Sequence, residues 1–199
     1  WDSSSVTNMA ATFVYTNAFN SELAWDTSKV TKMRETLRGA VAFNAPLDWD
    51  TSQVTDIGNT FEDAVKFDQA LVWDTSQVTF LQNTFYDARA FNQPLVWDTS
   101  KVTTLSRTLG AAMSFNQPLN WDTSQVTTMG HTFEGSKSFN QAIDGWDMSD
   151  VDDIRHMFAG AGSFNQPGVV HWDVSRVAKF YRIFADTALE DDLCSKQLL

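Results

Sequence analysis

Asp2, Asp26, Asp50, Asp74, Asp98, Asp122, Asp147 and Asp173 each follow a tryptophan, and from Asp26 to Asp122 each is followed by Thr-Ser. Carboxylates stacked in file repel one another unless something offsets the charge. Calcium is one candidate, because hard oxygen ligands suit it, yet a calcium site needs several oxygens converging on one point and each unit offers a single carboxylate with two hydroxyls. The alternative is local: an Asp ahead of a helix accepts a hydrogen bond from the free backbone N–H groups of the first turn. On that reading Asp26, Asp50, Asp74, Asp98 and Asp122 form a structural ladder and hold no metal. A second column, Thr12, Thr36, Thr60, Thr84, Thr108 and Thr132, has the regularity that an ice- or mineral-matching surface requires. At the edge of a buried stripe, however, such a hydroxyl bonds back to a nearby backbone carbonyl, and structural packing is the expected role. His131 and His156 share a third column, with Arg182 next in line, but zinc requires three or four ligands and no further ligand joins them. Gly-rich phosphate loops, G-x-S-x-G and H-E-x-x-H are all missing, so no catalytic residue, no cofactor and no enzymatic activity are expected.

These columns exist because the whole chain is one short unit repeated. Trp-Asp begins units at Trp1, Trp25, Trp49, Trp73, Trp97, Trp121, Trp146 and Trp172, at intervals of 24 residues lengthening to 25 and 26. Such a period marks a solenoid, in which no unit can bury its own apolar face and each relies on its neighbours. In the unit Trp73 to Val96, Val78, Leu81, Phe85 and Ala88 are spaced three, four and three, which predicts one stripe of a short amphipathic helix. The stripe recurs at Val30, Met33, Leu37 and Ala40 and at Val54, Ile57, Phe61 and Ala64. Asp50 to Gln53, Asp74 to Gln77 and Asp122 to Gln125 have capping-box spacing ahead of it. Leu47 and Trp49, Leu71 and Trp73, and Leu95 and Trp97 lie two apart, which predicts a short strand with Leu and Trp inward. Between the two runs Phe-Asn-Gln-Pro or a variant, where Asn44, Asn92, Asn116 and Asn140 are expected to stack and hydrogen-bond the backbone of a buried turn. A competing reading makes Val-Thr-x-Met the strand, since both residue types favour extended chain; it ranks second to the helix. The predicted fold is an α/β solenoid, leucine-rich-repeat-like, of about eight coils of 24–26 residues, each with one short parallel strand and one short helix. Residues 1–199 form one repeat domain, with 189–199 as a C-terminal cap or last strand.

The outward positions of the predicted strands form the concave strip with which such solenoids meet partners. Asp48, Ala70, Val72, Pro94, Val96 and Asn120 make its middle small and apolar. Either it docks a partner, or small residues simply let a curved sheet close. Asp153 beside Lys179, and Asp150 beside Arg176, are read as charge pairs that set the register of the last two units.

A net charge of −11 argues against nucleic acid, which needs a basic footprint. No apolar run approaches the ~20 residues of a spanning helix, so direct membrane insertion is not expected, and no targeting segment is visible. A single cysteine, Cys194, makes no internal disulfide.

The run WDTSxVTxMxxTFxxAxxFNQPL resembles the bacterial surface-protein repeats called DUF285 or BspA-like repeats, a divergent branch of the leucine-rich repeats, and the likeness covers essentially the whole chain. One departure is the threonine column, where relatives often carry Met ahead of Phe, as Met157-Phe158 does here. The resemblance implies a non-enzymatic adhesion or interaction module, at the cell surface or secreted, with a protein or glycan partner. A structural subunit assembling end to end or laterally is the alternative.

Overall fold

The computed structural model describes residues 2–189. Successive repeats stack in parallel register, joined by single β-bridges at Asn8, Lys32, Asp56, Phe80, Thr104, Thr128, Asp153 and Lys179. Each bridge residue follows Val-Thr or its equivalent. The extended segment that pairs between repeats is therefore Val-Thr-x-Met, the second-ranked reading.

The helix expected in each repeat does not form, and the α/β architecture with one helix and one strand per coil is corrected accordingly. Among the described residues up to 187, the one regular helix is the 3-10 segment Pro167–His171. In place of the amphipathic helix the chain makes consecutive four-residue turns. Thr36 N–H bonds Met33 O at 3.1 Å, Ala40 N–H bonds Leu37 O at 3.0 Å and Phe43 N–H bonds Ala40 O at 3.0 Å. The third residue of each of the first two turns has a left-handed backbone: Glu35 at φ 60° and Gly39 at 67°, Asn59 and Asp63 at 58°, Asn83 at 53° and Asp87 at 54°. Type II turns require this conformation, which Gly and Asn adopt at least cost. Each turn sends its first and fourth residues inward, so Met33, Thr36, Leu37 and Ala40 are buried, at the spacing a helical stripe would have. The N–H groups a helix would use internally point instead to the next repeat: Glu35 to Gly58 O at 3.0 Å, Leu37 to Thr60 O at 3.0 Å and Gly39 to Glu62 O at 2.7 Å. Gly58, Asn59 and Thr60 together are poor helix formers, which favours this outcome.

The predicted Leu-x-Trp strand keeps its alternation but forms no ladder. Leu47 and Trp49 are buried and Asp48 is exposed. Inter-repeat bonds here come from side chains. From Trp49 to Trp146 the indole N–H reaches back to a leucine carbonyl, as Trp49 Nε1 to Leu23 O at 3.0 Å and Trp121 Nε1 to Leu95 O at 3.2 Å, and Trp172 Nε1 reaches Asp144 O at 3.3 Å. Proline at 46, 94 and 118 has no N–H to give to a ladder.

The interior is a set of columns running the length of the stack. Phe61, Phe85, Phe91 and Phe115 are fully buried. Within a repeat Phe85 lies on Phe91 at 4.1 Å between centroids, and between repeats Phe61 and Phe85 are 5.4 Å apart and Trp73 and Trp97 6.3 Å. The proposed cap, 189–199, lies outside the described residues but for Leu189, and so does Cys194.

Candidate functional site

The aspartate column makes a turn rather than a helix cap. Asp50 Oδ1 accepts the backbone N–H of Ser52 at 3.0 Å, Asp74 Oδ1 that of Ser76 at 2.9 Å, and Asp26 Oδ1 both the N–H and the hydroxyl of Ser28 at 3.0 and 2.7 Å. The same Asx-turn recurs at Asp98 and Asp122. The capping box does not close, and Gln77 Oε1 instead accepts Lys101 Nζ at 2.9 Å. Hydrogen bonds from the serine hydroxyl and N–H hold the Asp26, Asp50 and Asp98 carboxyls below their ordinary value, and at Asp74 the backbone bond contributes most. Charge repulsion between Asp50 and its neighbours Asp26 and Asp74 acts the other way and is the smaller effect. Each carboxylate thus spends its charge on its own turn. Among the described residues no three His, Cys, Asp or Glu side chains converge as a metal site would require.

The inner threonines face the interior. Thr36, Thr60, Thr84, Thr108 and Thr132 are 0% exposed. Each hydroxyl donates to the carbonyl three residues back, as Thr60 Oγ1 to Ile57 O at 2.7 Å, and lies at 2.9 Å from Met33 O in the preceding repeat. The carbonyl is one residue nearer than a helix would place it. A crystal lattice cannot reach these five, and Thr12, the first of the expected column, is alone in being exposed.

The asparagine ladder forms as expected and continues through an aspartate. Asn44 Oδ1 accepts Asp68 N–H at 2.8 Å, Asp68 Oδ1 accepts Asn92 N–H at 2.9 Å, Asn92 Oδ1 accepts Asn116 N–H at 2.9 Å and Asn116 Oδ1 accepts Asn140 N–H at 2.9 Å. Gln93, Gln117 and Gln141 donate to the same acceptors, a contribution that spacing alone did not reveal.

The apolar strip holds the most exposed large hydrophobic side chains among the described residues. Val72 is 96% and Val96 92% exposed, and Asp48, Ala70, Pro94 and Asn120 beside them are all exposed. The structure brings these six to neighbouring repeats in register, without the strand expected to carry them. The charge pairs also form: Lys179 Nζ lies 3.5 Å from Asp153 Oδ2, and Arg176 Nη1 2.8 Å from Asp150 Oδ1. His131 and His156 stack at 5.0 Å and 13°, and His131 Nδ1 is 2.9 Å from Glu134 Oε2. No helix among the described residues is long and apolar enough to cross a membrane.

The family model described as "Mycoplasma protein of unknown function, DUF285" matches three overlapping stretches, residues 1–96, 48–120 and 95–196. The chain belongs to the DUF285 family. No curated protein and no solved structure matches this DUF285 chain. The family description assigns no activity, so function is argued from the surface.

Proposed function

We propose that this DUF285 chain is a non-enzymatic interaction module, at the cell surface or secreted, that docks a protein or glycan partner across the strip formed by Asp48, Ala70, Val72, Pro94, Val96 and Asn120. The supporting observation is the near-complete exposure of Val72 and Val96 in adjacent repeats. Two large aliphatic side chains held side by side in water, with Ala70 and Pro94 next to them, are a recognisable docking patch. Nothing inside the repeat needs them there, since the same position holds Asp48 and Asn120. Their types are free of the packing that dictates Leu71 and Trp73 on either side. Replacing Val72 and Val96 with Lys should leave stability within about 0.5 kcal/mol, as surface changes do. The same change should abolish binding to whichever member of a protein and glycan panel the unmodified chain retains. A partner held equally well by both chains would move the docking face elsewhere.

A second reading, a subunit that assembles end to end, is supported by Phe180. It stands in the column of Met129 and Ile154, which are buried, yet is 56% exposed at the last repeat. Sedimentation velocity over a hundredfold range of concentration tests it: a constant value excludes self-assembly.

A further inference from the structure

The two left-handed columns of the turns are filled by different rules. The second carries Tyr15, Gly39, Asp63, Asp87, Ala111, Gly135, Gly160 and Asp186, mostly residues that enter this conformation cheaply. The first carries Ala11, Glu35, Asn59 and Asn83 and then four nitrogen-bearing side chains: Arg107 at φ 55°, His131 at 62°, His156 at 53° and Arg182 at 52°. A long side chain such as arginine strains the backbone there, as Glu35 and Tyr15 also do, whereas histidine enters the conformation more readily.

Beside this column lies an open polar recess of about 280 Å³ lined by Gln82, Asn83, Ser106, Arg107, His131 and Arg155. Where the column of Ser106 and Arg155 passes through Gly130, the Asp153 carboxylate lies over the glycine, and the Gly130 carbonyl accepts the Ser106 hydroxyl at 3.1 Å. The acids nearby are already engaged: Glu134 with His131 at 2.9 Å, and Asp153 with Arg155 at 3.2 Å and Lys179 at 3.5 Å. Two donors are left over. Arg155 Nε is buried without a hydrogen-bond partner, and the exposed Arg107 guanidinium makes no ion pair among the described residues. An orphaned buried donor and an unpaired guanidinium on one recess, with the amide side chains of Gln82 and Asn83, match the needs of a tetrahedral oxyanion.

We propose that the recess bounded by Asn83, Ser106, Arg107, His131 and Arg155 is a binding site for a phosphate or sulfate group. The site occupies the turn half of the repeats and does not depend on the valine strip. Such a group comes either as a free ion or on a sulfated glycan, and both present the same oxygens to the same donors.

The test is titration of the full chain with sodium phosphate and sodium sulfate, followed by amide NMR shifts, against sodium chloride at equal ionic strength. Phosphate and sulfate should move the amides of Arg107, His131 and Arg155, and chloride should not. Arg107→Asn and His131→Asn install the residue this column already uses at Asn59 and Asn83. Arg107→Asn should weaken the anion about tenfold or more, the loss of one charge-assisted bond, and His131→Asn should weaken it less, while the melting temperature holds or rises. A sulfated tetrasaccharide that binds more tightly than sulfate, and also shifts Gln82 and Asn83, identifies a glycan as the source; equal affinity identifies the free ion. The proposal is overturned if neither anion gives localised shifts, if both variants bind as the parent does, or if they melt lower, which would make the cations structural.

Discussion

The two halves of each repeat solve the same problem differently. From Val-Thr to the second turn, backbone N–H groups bond the neighbouring repeat. From Phe-Asn to Trp, side chains do it: Asn Oδ1 takes the next repeat's N–H and the indole N–H reaches a leucine carbonyl. The difference shows in which positions tolerate variety. Where the backbone carries the ladder, the bridge position holds Asn8, Lys32, Asp56, Phe80, Thr104, Thr128, Asp153 and Lys179, with little in common. Where side chains carry it, the ladder position accepts little but Asn, with Asp68 the exception that still offers a carboxylate oxygen. Backbone donors are the same for every residue but proline; a side-chain acceptor must be the right side chain.

The largest effect should come from the rings where the halves meet. Phe85 belongs to the turn half and Phe91 to the ladder half, stacked at 4.1 Å and fully buried. Phe85→Ala and Phe91→Ala should each cost about 3–5 kcal/mol in urea denaturation, and the double variant should cost less than their sum, because each ring is the other's contact. Additive losses would mean that the halves are energetically separate.

Asn116→Leu tests the side-chain ladder alone. It removes the acceptor for Asn140 N–H and Gln141 Nε2, and should cost about 1 kcal/mol for the hydrogen bonds lost at half-buried donors. A cost within error of zero would show that water replaces the ladder freely.

Acid should act on the Asx-turns before either ladder. Asp26, Asp50, Asp74 and Asp98 have carboxyls held below the ordinary aspartate value of 3.8 because serine donors bond their charged form. A depressed folded value means that their stabilisation is fully present above about 3.8 and is lost as pH falls through the folded values. Asp63 has the opposite sign: burial, then repulsion from Asp87, raises it, so protonation in the acid range favours the folded chain at that site. Melting temperature should therefore fall below about pH 4, and the fall should shrink when Asp26, Asp50, Asp74 and Asp98 are replaced together by Asn. An unchanged slope in that variant would assign acid sensitivity to other carboxylates.

The smallest effect belongs to the backbone-paired column. Phe80→Thr places at a bridge the residue already found at Thr104 and Thr128, and should change stability by no more than about 0.5 kcal/mol. A loss of several kcal/mol would mean that this position is not governed by its backbone.

Much of this arrangement can be read from spacing. The inward columns of valine, methionine, phenylalanine, leucine and tryptophan, the asparagine ladder, the outward Val72 and Val96 and the Lys179–Asp153 pair all follow from writing the repeats under one another. Two things were hidden. The left-handed residues were legible only as Asn59, Asp63, Asn83 and Asp87, polar residues four apart in the middle of a supposed helix. The oxyanion recess was hidden because Gln82, Ser106 and Arg155 look like ordinary surface until their column is seen to run beside Arg107 and His131.

Inward spacing of three, four and three is common to an α-helix and to consecutive type II turns, so residue pattern alone settles which side chains are buried but not the backbone between them. That choice depends on where each N–H finds its acceptor. A helix supplies one four residues back, whereas here the carbonyl belongs to a repeat some 24 residues on, as Leu37 N–H to Thr60 O at 3.0 Å shows. A partner that exists only once the repeats have stacked leaves no mark in any single repeat, and stacking is what converts a helix-like pattern into turns.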